Sequence, residues 1–598
     1  LLSLATKSPG IHSPKDAKLT NASLPKKSDA AKVFVVCVTL AAIGTISPAR
    51  GQTIDETHSQ QVDALFSKVA KADTPGCVVS IMQNGATLYA KGYGKANLED
   101  DLALTPDSVF YIASTSKQFT AASIGLLVLD HKLRMDSTLG EFFPELPSYT
   151  RKITVDQLIH HTSGLRDYFD LFDIAGNRGD NDRINNHMVL KLLQRQKGLN
   201  FAPGKEFSYS NSNYILLAEI VRRVSGEALP DFALHHIFEP LQMNDSRFEA
   251  DVSEIVPHRA VGHTLRLDGS YKRSVKTIEA FGDGNLLTTV GDLARWDENF
   301  YSGKVGGTDL RALMQQDKRV TLSKGSAMEY GFGLIYDKYR GLPIVHHGGN
   351  FDGFDAEMMR FPQQHFSVAT LCNKGQVGAV RLSKRVADVY LADLMIPAAP
   401  QTKSDSANAG PSYVEVPQEP KSVDAFVGSY AVEGADSPMV VSFTRENDKY
   451  FVLINGQGRT QLFPYSSTDF FAKGVDAQLH FHPAANGKAE SLTLHQEGDQ
   501  HADRFSPPTP AMLQGLIGAY YSDELQALYQ VEIDGDELVA INEMGERIPL
   551  KAFGNDRFML DTPDTEAVFH RDVRGEATTI QVSKDRARNI LFVRQTDR

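Results

Sequence analysis

Ser114 and Lys117 stand three residues apart in the stretch Tyr111-Ile112-Ala113-Ser114-Thr115-Ser116-Lys117. Residues at i and i+3 share one face of a helix, so a helix opening at Ser114 brings a hydroxyl and an amine together near the positive end of its dipole. A serine hydroxyl attacks only beside a base, and lysine serves as one only when burial or nearby positive charge lowers its pKa from about 10.4 toward neutrality. The run from Phe119 to Leu129 is apolar nearly all round, which predicts a buried helix and meets that condition. A Ser-x-x-Lys pair recurs by chance in chains of this length, so the chemistry rests on what stands beside it.

Two further segments supply partners. Phe207-Ser208-Tyr209-Ser210-Asn211 follows Pro203-Gly204 and precedes a helical stretch at Tyr214 to Val224. In an extended turn Tyr209 and Asn211 share a side, so a phenol and an amide face one cleft. Ile344-Val345-His346-His347-Gly348-Gly349-Asn350 ends a strand in glycines, where backbone can approach a ligand closely. Taken singly, each is ordinary turn chemistry. The doublets His160-His161, His235-His236 and His346-His347 do not match zinc spacing, and Gly92-Tyr93-Gly94 ends a strand instead of opening a helix. No metal and no cofactor is expected.

The elements that position these residues follow from the pattern of the chain. Cys77 to Met82 and Ala86 to Tyr93 flank Asn84-Gly85, the strongest short hairpin signal. A helix is expected within Gln52 to Asp73, capping boxes at Thr154-Val155-Asp156-Gln157 and Thr289-Val290-Gly291-Asp292, and Asp-, Asn- and Gly-rich loops such as 167–182. Strands return at Gly341 to His347, Phe354 to Phe361 and Phe366 to Cys372, before a helix near Val380 to Leu394. This order fits an α/β domain whose antiparallel sheet joins both chain ends and carries helices on its faces, with a helical subdomain inserted between.

With 598 residues the chain exceeds one core, and 41% apolar and 23% charged residues describe a globular protein. The formal charge of -12 is spread without a basic stripe, so no nucleic-acid partner is expected. Lys26, Lys27 and Lys32 precede an apolar run from Val33 to Ser47 and small residues at Ala49 and Gly51. This reads as a signal peptide cut near Gln52, too short to span a membrane, and predicts an exported protein. Of three cysteines, Cys37 lies in the leader, and Cys77 and Cys372 are expected as buried free thiols rather than a pair.

Residues 397–420 are dense in Pro, Ala, Ser, Asn and Asp and read as a linker. Beyond it the chain repeats itself: Phe426-Val427-Gly428-Ser429-Tyr430 recurs as Leu516-Ile517-Gly518-Ala519-Tyr520, and Leu492-Thr493-Leu494 as Ile580-Gln581-Val582. Five such matches fall in order at a spacing of 87 to 90 residues. Two copies of one small all-β, barrel-like domain are expected at 421–507 and 508–598, after a leader at 1–51 and a catalytic domain at 52–396.

In this order and with their surroundings, His160-His161-Thr162-Ser163-Gly164-Leu165 and Gly284-Asn285-Leu286-Leu287-Thr288-Thr289 included, the three motifs resemble the penicillin-recognising serine hydrolases. These comprise class C β-lactamases, D,D-carboxypeptidases, D-aminopeptidases and family VIII esterases. The resemblance covers about residues 60 to 395 and implies the β-lactamase/transpeptidase-like fold. It implies Ser114 as nucleophile, Lys117 as proton acceptor, Tyr209 as proton shuttle and Asn211 as binder of the substrate amide. It implies His347, in the frame His347-Gly348-Gly349, as the start of the third wall, with an oxyanion hole from the N–H groups of Ser114 and Asn350. β-Lactamases usually place Lys where His347 stands; a histidine is only partly charged at neutral pH, which favours peptidase or esterase use. The expected substrate is a D-amino-acid peptide or related amide, a small molecule or short peptide that includes cell-wall fragments. A carboxylesterase and a non-catalytic sensor or scaffold are the alternatives.

Overall fold

The computed structural model describes residues 56–595 except 177–182, 267, 316–318, 322–326, 398–412, 417, 433–438, 455–458, 474–476, 497, 507, 536, 555 and 561–563. The expected leader at 1–51, Cys37 and most of the expected linker lie outside the described residues. Residues from Thr53 to Arg598 group into one compact unit.

Its catalytic part is built on an eight-stranded antiparallel sheet among the described residues. The order is Arg319–Thr321, Ala327–Gly331, Leu334–Tyr339, Leu342–Phe351, Phe354–Phe361, Phe366–Cys372, Cys77–Gln83 and Ala86–Tyr93. The first hairpin turns at Asn84 (φ 51°) and Gly85 (φ 76°), left-handed values that Asn and Gly adopt at least cost. Cys77–Gln83 then pairs with Phe366–Cys372, so the two ends of the domain meet inside one sheet as the sequence pattern implies. Both strands are buried on both faces. Cys77, Val79, Ile81 and Val368 face helices Glu56–Phe66 and Ala379–Leu391, whereas Val78, Met82 and Leu371 face the core that holds helices Lys117–Leu129, Asn211–Ser225 and Val290–Ser302.

This register corrects the expectation of free thiols. Cys77 lies directly opposite Cys372, and the two are joined as a disulfide with Cα atoms 3.9 Å apart. Pairing between residues 295 apart in sequence depends on strand register, which no local pattern states. The two predicted helix starts also differ. At Thr154 the reciprocal capping box forms with Gln157. At Thr289 only the first half forms: its hydroxyl accepts from Asp292 N–H, but the Asp292 carboxylate turns to Ser246 and Arg295.

The repeat is a pair of closed eight-stranded barrels, running from Gly428–Val432 to Asp499–Phe505 and from Gly518–Ser522 to Ala587–Arg594. The copies share side-chain bonds as well as strands. Tyr430 donates to the Phe426 carbonyl at 2.6 Å and Tyr520 to the Leu516 carbonyl at 2.8 Å. Arg504 donates to the Ala489 and Val427 carbonyls, and Arg594 to those of Ala577 and Ile517. Tyr413 stacks near Tyr465 and Phe471, and Val416 N–H donates to the Pro464 carbonyl, so the chain joins the first barrel before residue 421. The barrels differ in their cores. The first closes a core of its own around Tyr430, Phe443, Phe470 and Phe481, while the second shares one continuous core with the catalytic part. No helix among the described residues is long and apolar enough to cross a membrane.

Candidate active site

The nucleophile candidate is placed by a short strand and a tight turn. Phe110–Tyr111 pairs with Leu286–Thr288, and Ala113 then takes a left-handed φ of 45° that swings the chain into a 3-10 turn at Ala113–Ser116 and on into helix Lys117–Leu129. A non-glycine residue in that region is uncommon, and here it sits immediately before Ser114. Strand Leu342–Phe351 passes directly over this turn. A Cβ on Gly349 would fall 2.3 Å from the Ile112 carbonyl oxygen and 2.8 Å from the Ser114 nitrogen, so only glycine allows the approach. Thr115 fixes it further by donating to the His347 carbonyl at 3.1 Å.

Lys117 is fully buried, and its Nζ has three polar neighbours: Ser114 Oγ at 3.1 Å, Asn211 Oδ1 at 2.8 Å and the Asp283 carbonyl at 2.6 Å. Asn211 Oδ1 and the carbonyl can only accept, so in a neutral amine they take both hydrogens and leave the lone pair toward Ser114 Oγ. Burial pushes the Lys117 pKa down to about 8, with Asp283 and Asp167 pulling it up and Arg586 pushing it down. Roughly a tenth of the amine is therefore neutral at pH 7.

Tyr209 lies with its ring centroid 4.8 Å from Lys117 Nζ. Its hydroxyl is buried and makes no hydrogen bond of ordinary geometry; burial raises its pKa well above 10, and Ser114 is the neighbour that offsets this. Asn211 opens helix Asn211–Ser225, and its own N–H donates to Asp167 Oδ2 at 2.6 Å. Asn350, just past His347-Gly348-Gly349, is exposed where the strand reaches the cleft. The structure thus gathers the residues expected from the motifs around Ser114.

His347 differs in charge from the sequence expectation. Burial, with Lys117 close by, pushes its pKa down to about 3, so it is neutral at physiological pH. Its Nδ1 lies 2.6 Å from the Gly348 carbonyl and must donate there, leaving Nε2 to accept from the Tyr330 hydroxyl at 3.3 Å. Tyr330 in turn lies 3.3 Å from His161 Nε2, while His161 Nδ1 accepts from Ser210 N–H. One consistent proton arrangement runs from His161 through Tyr330 to His347. His161 is fully buried and its pKa lies well below 6.5, and it packs on Tyr209 with ring centroids 4.3 Å apart. His161 and Tyr330 went unassigned from sequence, although the doublet His160-His161 beside Ser163-Gly164 marked the place.

The cleft over Ser114 is a cavity of about 500 Å³ whose described lining includes Asp170, Asp173, Asp283, Asp352 and Arg586. Arg586 comes from the hairpin tip between Ala577–Lys584 and Ala587–Arg594 of the second barrel. It lies 3.0 Å from Asp170 and 3.5 Å from Asp167, and its carbonyl accepts from Asp167 N–H and Asn200 Nδ2. The second barrel therefore supplies a wall of the cleft. Burial raises Asp170 and Asp283 to about 6.

Among proteins of known kind, the chain is 27% identical to penicillin-binding protein 4* of Bacillus subtilis, over 74% of this chain and 98% of that protein. It is 25% identical to the D-aminopeptidase of Brucella canis, over 87% of this chain and 96% of that enzyme. The fold matches the octameric penicillin-binding protein homologue of Pyrococcus abyssi with a TM-score of 0.53 at 22% identity, covering 75% of this chain and 99% of that one. Residues 413–507, the first barrel, match a domain of unknown function (DUF3471). These relatives support a hydrolase. The Beta-lactamase family model matches residues 62–391, more than half of the chain, and the protein belongs to that family.

Proposed function

We propose that the protein is an exported serine hydrolase that works through an acyl-enzyme on short peptides or amides bearing an N-terminal D-amino acid. The observation that carries this reading is the coordination of Lys117, whose hydrogens are taken by Asn211 and Asp283 so that its lone pair faces Ser114 Oγ. Lys117 takes the Ser114 proton as Oγ attacks the substrate carbonyl carbon. The oxyanion is held by the N–H groups of Ser114 and Asn350, each worth about 3 to 4 kcal/mol in the transition state. Tyr209 carries the proton to the leaving amine as the C–N bond breaks, and Asn211 donates its NH2 to the substrate amide. Water then attacks the acyl carbon and gives its proton to Lys117; the Ser114 Oγ–carbon bond breaks, the acid leaves, and Lys117 passes that proton to Oγ, which restores the free serine and the neutral amine.

The cleft's chemistry supports an amine-bearing substrate. Of the four aspartates among the described lining residues, Asp170 pairs with Arg586 and Asp173 with Lys584, while Asp283 and Asp352 favour an ammonium group; neutral His347 offers no fixed charge to a carboxylate at the third wall. The relatives named D-aminopeptidase support the D configuration. The Cys77–Cys372 disulfide supports an oxidising compartment outside the cytoplasm.

Intact-mass measurement after treatment with a fluorophosphonate or a β-lactam tests the nucleophile: one adduct is expected, absent from Ser114→Ala. Equal labelling of the variant would overturn the assignment. Rates on D- and L-alanine p-nitroanilides beside short p-nitrophenyl esters test the substrate; esters turning over far faster than every amide would make the protein an esterase.

A further inference from the structure

A second cavity, of about 250 Å³, lies behind the wall of the catalytic cleft. Tyr111 and Val275 line both spaces, and Tyr111 is only three residues before Ser114. Three cations line the second cavity, Arg259, Arg273 and Lys276, against one carboxylate, Glu249. Glu249 is almost completely buried and already takes both neighbours, Lys276 Nζ at 2.6 Å and the Arg259 guanidinium. Lys276 Nζ lies 4.3 Å from the Tyr111 ring centroid, and burial lowers its pKa to about 7, so the far face of the aromatic wall carries a partial positive charge at neutral pH that a bound anion would complete.

Two features mark this cavity as a place for an anion. Arg259 Nε is buried without a hydrogen-bond partner, a donor whose desolvation is uncompensated in the free protein. Arg273, exposed at the rim, reaches the exposed Glu99 at 3.4 Å, a weak solvent-screened pair that leaves its charge open to a ligand. The adjoining cleft carries carboxylates among its described lining, Asp283 and Asp352 besides the ion-paired Asp170 and Asp173. A zwitterionic short peptide carries both complements on one molecule, an ammonium at one end and a carboxylate at the other.

We propose that this cavity is a subsite for the terminal carboxylate of a short peptide substrate, reached from the catalytic cleft past Tyr111 and Val275. The subsite rests on the peptide reading above and makes the enzyme a selector of free, short peptides over internal segments of a polymer. Arg259 and Lys276 hold the carboxylate by charge-assisted bonds, and Tyr111 sets the distance between the scissile amide and the anchored end.

The test separates binding from turnover. Binding of D-alanyl peptides of two to four residues, each as free acid and as C-terminal amide, is measured by calorimetry on Ser114→Ala. At least one length is expected to bind about tenfold or more tightly as the acid. Adding Lys276→Gln, or Arg273→Ala at the exposed rim where folding is not at risk, is expected to bring that advantage down toward equality. Equal binding of acid and amide at every length, no binding of either, or an advantage untouched by both variants overturns the subsite. Turnover of capped and free peptides alike by the intact enzyme overturns the subsite and leaves the hydrolase reading standing. An acid preference in binding with no turnover of any peptide does the reverse.

Discussion

The two barrels come from one sequence template and have different standing in the molecule. Both keep the tyrosine that bonds four residues back and the arginine that donates to backbone carbonyls at equivalent positions. Yet the first encloses a core separate from the rest, and the second is continuous with the catalytic core and sends Arg586 into the cleft. The difference lies in the contacts that loops and strands of the second barrel make with the rest of the unit. Glu524, between Gly518–Ser522 and Ala527–Asp534, is buried against Arg166 at 2.6 Å and accepts Lys197 N–H. Asn589, Lys584 and Tyr529 add bonds to Arg166, Asp173 and the Ile174 carbonyl. A barrel becomes part of a larger unit when loop residues such as Glu524 and strand residues such as Tyr529 bond across its rim and its apolar core runs on into its neighbour's.

That conclusion breaks most directly at Glu524. Glu524→Ala leaves the Arg166 guanidinium buried with fewer partners, and removing one member of a buried pair costs about 3–5 kcal/mol. The urea midpoint of the unit containing the catalytic part and second barrel is expected to fall accordingly. Arg445→Ala removes a comparable pair with Asp424 on the surface of the first barrel and is expected to leave every midpoint nearly unchanged. Equal effects from the two variants would mean that the second barrel is no more integral than the first.

The disulfide offers the next test, because neither barrel contains a cysteine. Reduction, or Cys77→Ser with Cys372→Ser, removes a crosslink spanning 295 residues and is expected to cost roughly 2–4 kcal/mol. The transition of the catalytic unit should move and that of the first barrel should not. A shift in both would show the first barrel to be coupled to the sheet.

Arg586 brings the comparison to the chemistry. It pushes the Lys117 pKa down while Asp283 and Asp167 push it up. In the proposed mechanism the base is the neutral amine, so kcat/KM should rise with pH through about 8, the Lys117 value in the intact site. Arg586→Ala removes the cation and leaves Asp167 and Asp170 uncompensated, so the acidic limb is expected to move to higher pH. A one-unit move would be about tenfold in rate at pH 7. An unmoved limb would mean that the barrel forms a wall of the cleft without tuning its base.

What the sequence made legible follows the distance over which each feature is encoded. Ser114 and Lys117 are one helical turn apart, Tyr209 and Asn211 share one turn, and Asn84-Gly85 states its hairpin locally. The barrels were readable because the chain states them twice. The disulfide was not, since Cys77 meets Cys372 only through the register of strands from opposite ends of the domain. The His161–Tyr330–His347 chain of bonds and the Arg586–Asp170 pair likewise join segments 169 and 416 residues apart, with no periodicity to announce them.

The smallest effect is the most discriminating between the two barrels. Tyr430 and Tyr520 occupy the same place in the repeat, are both fully buried, and donate to carbonyls at 2.6 and 2.8 Å. Tyr430→Phe and Tyr520→Phe delete the same hydroxyl from the same setting, each for about 1 kcal/mol. Local chemistry therefore predicts equal costs, and only the partition of the cores decides which transition registers them. Tyr430→Phe is expected to lower the first barrel's urea midpoint alone, because its ring contributes to a core that ends at the barrel. Tyr520→Phe is expected to lower the midpoint at which enzymatic activity is lost, because its ring belongs to the core that also holds helix Lys117–Leu129. Activity loss that tracks Tyr430→Phe as closely as Tyr520→Phe would show that the two barrels and the catalytic part unfold as one unit.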